Sequence, residues 1–179
     1  MHTDSAAACC LALVIAATLL PAANAADFRM QSLKEIRERA VVIQQWDNTC
    51  AAAALATVLT YRFQDPVTER QVAAKMLEQT EAAKVRARGG FSLLDMKRFV
   101  EGRGYTGAAY QNLSSEDLKL FPAAIVPINP YGADHYVVLN EIRGDQVHLA
   151  DPAYGNRTMS LDAFKKVWMD GLVFVINKN

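Results

Sequence analysis

The sequence has no excess of charge of either sign, because its 19 lysines and arginines are matched by 19 aspartates and glutamates. Proteins that bind nucleic acids or anionic membranes usually concentrate positive charge on one face, so we expect neither kind of partner. Low-complexity tracts and internal repeats are also missing. With 51% apolar and 21% charged residues over 179 positions, the chain has the composition and length of about one globular domain.

Histidine and cysteine are scarce, at three residues each. They do not occur at the spacings typical of a metal site, and no glycine-rich phosphate-binding motif or other cofactor motif is present. The sequence therefore predicts chemistry that needs neither a metal nor a cofactor.

Long hydrophobic runs are limited to one segment near the start of the chain, Leu11 to Leu20. This run is about half of the ~20 residues that a membrane-spanning helix needs. Pro21 follows it, and then Ala23-Asn24-Ala25, a small-x-small pattern that suits signal peptidase. We predict an exported, periplasmic protein with no stable membrane insertion after cleavage. The segment before the run departs from a usual signal peptide, because it has no lysine or arginine. The alternative is an uncleaved anchor.

This pattern divides the chain into three predicted parts. Residues 1–25 form the signal peptide, and residues 26–40 form an N-terminal extension with a short helix. Residues 41–179 form the remaining domain, which with the extension is long enough to bury a core without disulfide bonds.

Export makes the cysteine count informative, because Cys9 and Cys10 lie in the predicted signal peptide and leave Cys50 alone. A single thiol in an oxidising compartment has no partner within its own chain. Such a residue is either a small buried apolar side chain or a reactive one.

Capping signals and apolar spacing predict helices in the first part of the domain and again near the end. The alanine-rich stretch that begins at Cys50 has no breaker until Pro66 and reads as a buried helix, with Asn48 or Thr49 near its N-cap. The other predicted helices are Ser32 to about Ala40, Thr68 to Glu81, Ser92 to near Gly102, and Ser160 to Trp168.

The second part of the chain has short β-branched and aromatic segments bounded by turn residues. The Arg143-Gly144-Asp145 turn predicts an antiparallel hairpin between two of them. Helices followed by strands indicate an α+β domain with the helices packed on an antiparallel sheet. The predicted strands are Tyr105–Tyr110, Ala123–Asn129, His135–Ile142, Gln146–Asp151 and Leu172–Ile176.

Cys50, His135 and Asp151 are the candidate reactive residues. A thiolate is the attacking form of cysteine, and a helix N-terminus or a neighbouring imidazole favours it. His135 follows a loop and opens one strand of the predicted hairpin, whereas His148 lies inside the other strand and has a structural role in this interpretation. Strand alternation and the hairpin would bring Asp151 alongside His135, where it could orient the imidazole.

Four spaced elements of this sequence resemble the bacteriocin-processing, double-glycine leader peptidase family. They are Gln44 six residues before Cys50, the segment His135-Tyr-Val-Val-Leu, the segment Val147-His-Leu-Ala-Asp151-Pro-Ala-Tyr-Gly155, and the later Ser160 to Trp168 stretch. The resemblance covers nearly all of the chain from Gln44 onward. It implies a papain-like cysteine peptidase fold over residues 41–179.

The resemblance also implies roles for four residues. Cys50 would be the nucleophile, His135 the general base and then acid, and Asp151 the orienting residue. Gln44 would donate a side-chain N–H to the oxyanion hole, where one positioned donor is worth ~3 kcal/mol; Gln45 is the alternative if the register differs by one.

The expected function is therefore hydrolysis of peptide bonds by an exported cysteine peptidase. Its expected partner is a peptide or protein substrate, with a link to a secretion system as a further expectation. Three alternatives stay open: a peptide-binding module of the same fold without turnover, a thiol amidase or acyltransferase acting on a non-protein amide, and a structural Cys50. Two aromatic residues, Trp46 and Tyr131, either line the substrate cleft or pack at its rim. Lys84, Arg86 and Arg88 are interpreted as a solvated loop.

Overall fold

A computed structural model describes residues 30–178 of the chain, and Gln31 onward forms one compact unit. The predicted signal peptide, residues 1–25, lies outside the described residues. The described helices are α1 (Leu33–Arg37), α2 (Cys50–Thr57), α3 (Glu69–Leu77), α4 (Ala82–Arg88), α5 (Leu93–Glu101) and α6 (Leu161–Val167), with a π-helical turn at Val58–Arg62 and a 3₁₀ turn at Asp117–Leu120.

Capping residues set the starts of most helices, as the sequence predicts. Ser32, Thr68 and Ser92 each form a complete capping box with the residue three positions later, which satisfies backbone donors that the first turn of a helix leaves open. Two predicted helices end early: α1 stops at Arg37 rather than near Ala40, and α3 stops at Leu77 rather than Glu81.

Helix α2 is the centre of the helical layer. All of its residues are buried, and Ala51 to Ala56 have no exposed surface. Alanine has the highest helix propensity and the smallest side chain above glycine, so this helix can pack closely on the sheet and on α3 at the same time. The close packing holds Cys50, at the first position of α2, in a fixed place.

Six strands form one antiparallel sheet with the order β1-β6-β2-β3-β4-β5. Alternate residues of the central strands face two separate cores. Val138 and Ala150 pack with the α2 side, whereas Val137, Leu139 and Leu149 pack with the α6 side. The strands are β1 (Tyr105–Tyr110), β2 (Ile125–Ile128), β3 (His135–Arg143), β4 (Gln146–Asp151), β5 (Gly155–Ser160) and β6 (Val173–Lys178).

The predicted hairpin is formed by β3 and β4, joined by the two-residue turn at Gly144 and Asp145. Its ladder is irregular. Arg143 pairs with Gln146 next to the turn, but the register changes by one residue between Leu139 and Glu141. Asn140 is thus the extra residue of a β-bulge.

Two elements of the structure differ from the sequence prediction. The residues predicted as a solvated loop, Lys84 to Arg88, belong to helix α4, which ends at Gly89 with φ +77°. A glycine in the left-handed region is a common helix end. The strand β5 was not predicted, because its sequence GNRTMS lacks an alternating apolar pattern; each of its residues nevertheless pairs with β4.

The segment that follows α1 lies against the start of β5. Asn156 Nδ2 donates to the backbone oxygens of Arg37 and Arg39, at 2.9 and 2.6 Å. Gly155, with φ +77°, leaves no room for a side chain, since an added Cβ would lie 2.6 Å from Arg37 O. This part of the predicted extension therefore packs on the sheet.

Within residues 30–178, no helix combines the length and the apolar content needed to cross a membrane.

Candidate active site

Cys50 lies at the N-terminus of α2 and is 7% exposed. The first turn of a helix presents backbone N–H groups and partial positive charge. Thr49 occupies the N-cap position but makes no side-chain capping bond. The N–H groups around the sulfur are therefore not used by a capping hydroxyl.

His135 and Asp151 meet at the open end of the β3–β4 hairpin. His135 is the first residue of β3 and Asp151 is the last of β4, and His135 Nε2 lies 2.7 Å from Asp151 Oδ1. A carboxylate only accepts hydrogen bonds, so Nε2 carries the hydrogen. The second ring nitrogen is then left for the Cys50 thiol, which lies close enough to His135 to raise the pKa of the imidazole.

The surroundings of His135 favour its protonated form. Burial by itself lowers the pKa of the imidazole, but the hydrogen bonds to Asp151 and Cys50 and the charges of these two groups raise it, with a net pKa of about 9. The positive charge lies beside the sulfur, where it stabilises a thiolate.

Asp151 is completely buried yet remains ionised. Burial raises the pKa of this carboxyl, but the hydrogen bond and charge of His135, the Ala153 backbone N–H and the charge of Arg157 lower it below the usual value. The Ala153 N–H donates to Oδ1 at 2.9 Å. Arg157 Nε lies 2.7 Å from Oδ2, an ion-pair distance with an angle that does not meet hydrogen-bond geometry.

Gln44 faces the same cleft as Cys50 and His135. Its backbone N–H donates to Pro152 O at 2.9 Å, which ties it to the residue after Asp151. Its side-chain Nε2 donates one hydrogen to Trp46 O at 3.3 Å, and this bond leaves the second hydrogen of the amide for another acceptor. Gln44 Oε1 is buried without a hydrogen-bond partner among the described residues.

The alternative, Gln45, turns its side chain to Ile43 O at 3.1 Å and does not line this cleft. The structure thus brings Gln44, and not its neighbour, to the side of Cys50.

The cleft at this site has a volume of about 230 Å³. Tyr131 and Tyr154, both mostly exposed, stand at its rim, whereas Trp46 does not line it. Three of the residues in its wall, Gly89, Ala133 and Ala153, are small. Its lining comprises Gln44, Asn48, Cys50, Gly89, Pro130, Tyr131, Ala133, Asp134, His135, Ala153 and Tyr154.

Three residues near the site were not predicted from the sequence. Arg157 contacts Asp151 from β5, and Glu69 binds the loop before Cys50 from α3. Tyr136 is the third; burial, and then the nearby charge of Cys50, raise its pKa to about 12. Arg157 and Glu69 belong to no recognisable motif, and their contacts depend on how distant elements pack. Tyr136 lies within the His135-Tyr-Val-Val-Leu segment, but nothing in that segment indicates its proximity to Cys50.

His148 lies away from the site, and its Nδ1 is 3.1 Å from Thr158 Oγ1 on the neighbouring strand. The sequence interpretation of a structural histidine agrees with this position. Among residues 30–178, no three or more histidine, cysteine, aspartate or glutamate side chains form a group that could hold a metal ion.

An alanine-rich helix with a cysteine at its N-terminus, packed on an antiparallel sheet that supplies a histidine and an aspartate, defines a papain-like cysteine peptidase. The model of the Peptidase C39 family matches residues 38–179. The chain belongs to this family and is a cysteine peptidase.

Curated relatives agree with this assignment. The chain is 38% identical to the "Probable functional amyloid protease FapD" of Pseudomonas aeruginosa. The match extends over 157 residues, which are 88% of this chain and 69% of that protein. It is 34% identical over 148 residues to the protein of the same name from Pseudomonas fluorescens, with 83% and 65% covered. The chain therefore spans about two thirds of the length of these relatives.

Solved structures show the same fold. A double glycine motif protease from an AMS/PCAT transporter, determined in complex with its leader peptide, has a TM-score of 0.64 at 25% identity, with 80% of this chain and 96% of that chain covered. The peptidase domain of Streptococcus ComA also has a TM-score of 0.64, at 18% identity, with 78% and 98% covered. These matches confirm the α+β, papain-like prediction.

Proposed function

We propose that the protein is an exported peptidase that hydrolyses peptide bonds with Cys50 as nucleophile, His135 as base and acid, and Asp151 as the orienting group, and that Gln44 completes the oxyanion hole. The observation that carries the proposal is the His135–Asp151 contact of 2.7 Å at the mouth of a cleft that Cys50 and Gln44 also line.

In the first half of the reaction, the Cys50 thiolate attacks the carbonyl carbon of the scissile bond. The negative charge that develops on the carbonyl oxygen accepts hydrogen bonds from the Cys50 backbone N–H and from the second hydrogen of Gln44 Nε2. The protonated His135 then gives its proton to the leaving amine, the C–N bond breaks, and a thioester on Cys50 remains.

In the second half, a water molecule attacks the thioester and His135 takes up the proton of that water. The C–S bond breaks, the acid product leaves, and the thiolate–imidazolium pair is restored. Asp151 stays ionised throughout and holds Nε2–H, so that the other ring nitrogen faces the sulfur.

For the substrate, we propose a protein of a secretion system with small residues at the scissile bond. The cleft holds only about 230 Å³, and the small side chains of Gly89, Ala133 and Ala153 in its wall let a peptide backbone approach closely. Two relatives support the class of substrate: one is named as a functional amyloid protease, and one is a double glycine motif protease solved with a leader peptide.

The first test is intact-mass labelling with iodoacetamide between pH 4 and 9. The wild type is compared with His135→Ala, and His148→Ala is the matched control. Labelling of Cys50→Ser measures any reaction of Cys9 and Cys10, which is subtracted. We expect rapid labelling of Cys50 well below pH 8 in the wild type and in His148→Ala, and its loss in His135→Ala. Labelling that follows an ordinary thiol with a pKa near ~8.5, unaffected by His135, would contradict an active peptidase and favour a binding module.

Substrate class needs a separate measurement. Quenched-fluorescence peptides that differ only at the two residues before the scissile bond, Gly-Gly against Leu-Leu, should be cleaved at rates at least tenfold apart in favour of Gly-Gly. Hydrolysis of simple thiol-reactive esters without cleavage of any peptide would instead favour a thiol amidase or acyltransferase.

Export is tested by the N-terminus of the protein recovered from the periplasm. We expect it to begin at Ala26, after Ala25. A chain that retains its first residues and sediments with membranes would show the uncleaved anchor instead.

A further inference from the structure

Glu69 is a buried carboxylate that belongs to none of the reactive groups described above. It is the first residue of α3 and is 3% exposed. Burial of a charged side chain is costly unless hydrogen bonds compensate for lost water. Glu69 finds those bonds in a single short segment, the loop of residues 45–49 that leads into Cys50.

Both ends of this loop bind the same carboxylate. The Gln45 backbone N–H donates to the two oxygens of Glu69, at 2.9 and 3.1 Å, and the Thr49 hydroxyl forms a short hydrogen bond to Oε1. Within the loop, Asn48 has φ +64°, a conformation that costs free energy for a residue other than glycine. The two anchored ends hold the loop in this shape.

The Thr49 hydroxyl also lies 2.7 Å from Trp46 O, the same oxygen that accepts a hydrogen from Gln44 Nε2. A continuous set of polar contacts thus runs from Glu69 through Thr49 and Trp46 O to the Gln44 amide.

The position of Thr49 has a second effect. A threonine at the N-cap of a helix normally accepts a hydrogen bond from an N–H of the first turn. Thr49 makes no such bond, because its hydroxyl is turned to Glu69 and Trp46 O. The second and third N–H groups of α2, those of Ala51 and Ala52, are thereby left without a capping hydroxyl.

We propose that Glu69 is the positioning residue of the oxyanion hole. Its carboxylate fixes the loop that places the Gln44 amide, and it draws the Thr49 hydroxyl toward this loop and away from the first turn of α2. This inference deepens the proposed function and depends on it. The hydrogen bonds of Glu69 go to Gln45 and Thr49 and not to the thiol, so its effect falls on carbonyl chemistry and not on the thiolate itself.

Two reactions of Cys50 separate these effects. Alkylation by iodoacetamide displaces iodide and creates no oxyanion, whereas acylation by p-nitrophenyl acetate passes through a tetrahedral oxyanion. In Glu69→Gln, we expect the alkylation rate and its pH profile to stay within about twofold of wild type, while the acylation rate falls about 10- to 100-fold, the range for a misplaced or missing oxyanion donor.

Thr49→Val gives a second variant that changes only a hydroxyl to a methyl group. Its acylation rate should fall about tenfold, and Thr49→Ser, which keeps the hydroxyl, should restore it. The double variant Glu69→Gln/Thr49→Val should fall no further than Glu69→Gln alone, since residues that act through one contact are not additive. Asp65→Asn serves as the matched control, because it removes a carboxylate that accepts a hydrogen bond from Arg103 and not from the loop of residues 45–49.

The outcomes are distinct. Acylation by Glu69→Gln or Thr49→Val within threefold of wild type overturns the positioning role while leaving the peptidase proposal intact. Alkylation and acylation that fall together, with a lower melting temperature, show a merely structural Glu69 and also overturn it. A wild type that reacts with neither reagent faster than an ordinary thiol contradicts the proposed function itself.

Discussion

Arg157 and His135 bind opposite oxygens of the Asp151 carboxylate: Arg157 Nε is 2.7 Å from Oδ2 and His135 Nε2 is 2.7 Å from Oδ1. The carboxylate is thus held between two cationic groups, one from β5 and one from β3. The ring of Tyr154, at the rim of the cleft, lies 5.7 Å from the Arg157 guanidinium carbon. This arrangement explains how a completely buried carboxyl stays ionised.

The Arg157 contact predicts a change in the pH dependence of the reaction. Arg157→Met removes one of the charges that lower the pKa of Asp151, so the pKa of this carboxyl should rise. The acid limb of the kcat/KM profile should therefore move to higher pH. Arg143→Met is the control, because Arg143 forms its ion pair with Glu141 at the exposed end of the same hairpin. An acid limb that is the same in both variants would contradict the role of Arg157.

Asp151→Asn tests the orienting role directly. The amide keeps the size of the side chain, but it can donate where the carboxylate only accepts, and so it favours the wrong tautomer of His135. We expect kcat to fall by about 10²- to 10⁴-fold, which is the scale for loss of an orienting carboxylate in catalytic triads. Circular dichroism should show an unchanged fold. A kcat within tenfold of wild type would mean that Asp151 is not the orienting group.

The raised pKa of His135 predicts that part of the stability depends on pH. The folded protein holds this proton up to about pH 9, whereas the unfolded chain releases it near pH 6.5. The contribution is thus complete below pH 6.5 and is lost as the pH rises to about 9, and it is on the order of 3 kcal/mol. Urea unfolding should show that the stability difference between wild type and His135→Ala shrinks by this amount between pH 6 and pH 10. His148→Ala should show no such trend, and a constant difference for His135→Ala would contradict the pKa shift.

Gly155 provides a test of the N-terminal segment. Gly155→Ala places a methyl group 2.6 Å from Arg37 O at a positive φ, whereas Gly144→Ala, also at positive φ, meets nothing within 4 Å. We expect a loss of about 1 kcal/mol for Gly144→Ala and about 2–4 kcal/mol for Gly155→Ala, since only the second adds a clash with backbone to the conformational cost. Urea unfolding measures the difference. Trypsin should cleave after Arg37 and Arg39 faster in Gly155→Ala, and equal cleavage would mean that the segment is held elsewhere.

Local signals in the sequence account for much of the fold. The capping boxes at Ser32, Thr68 and Ser92 are interactions between residues three positions apart, so no distant contact was needed to predict them. The hairpin turn at Gly144 and Asp145 is local in the same sense. By contrast, β5 is a strand only because it pairs along its whole length with β4, and no pattern within its own six residues indicates this.

The same distinction applies to the site. The resemblance implied Gln44, Cys50, His135 and Asp151, and the structure brings all four to one region. Glu69 and Arg157 could not be found this way, because charged residues are usually exposed. The burial of Glu69 and the contact of the half-buried Arg157 with Asp151 depend on the packing of α3 and β5 against the loop and the hairpin.

The β-bulge at Asn140 has a consequence for how the chain can change in length. If the ladder ran without interruption from the Arg143–Gln146 pair, Asp151 would lie opposite Val138, and its carboxylate would face away from His135, since residues three apart on a strand point to opposite sides. In the observed register Val138 pairs with Ala150. Asp151 therefore lies opposite Val137, and its side chain is on the same side of the sheet as that of His135. Insertion of one residue into β4 would reverse this and separate the two groups, whereas the Gly144–Asp145 turn can lengthen without effect on them. In homologous sequences, insertions and deletions should therefore occur at the β3–β4 turn and be absent from the paired residues of the two strands.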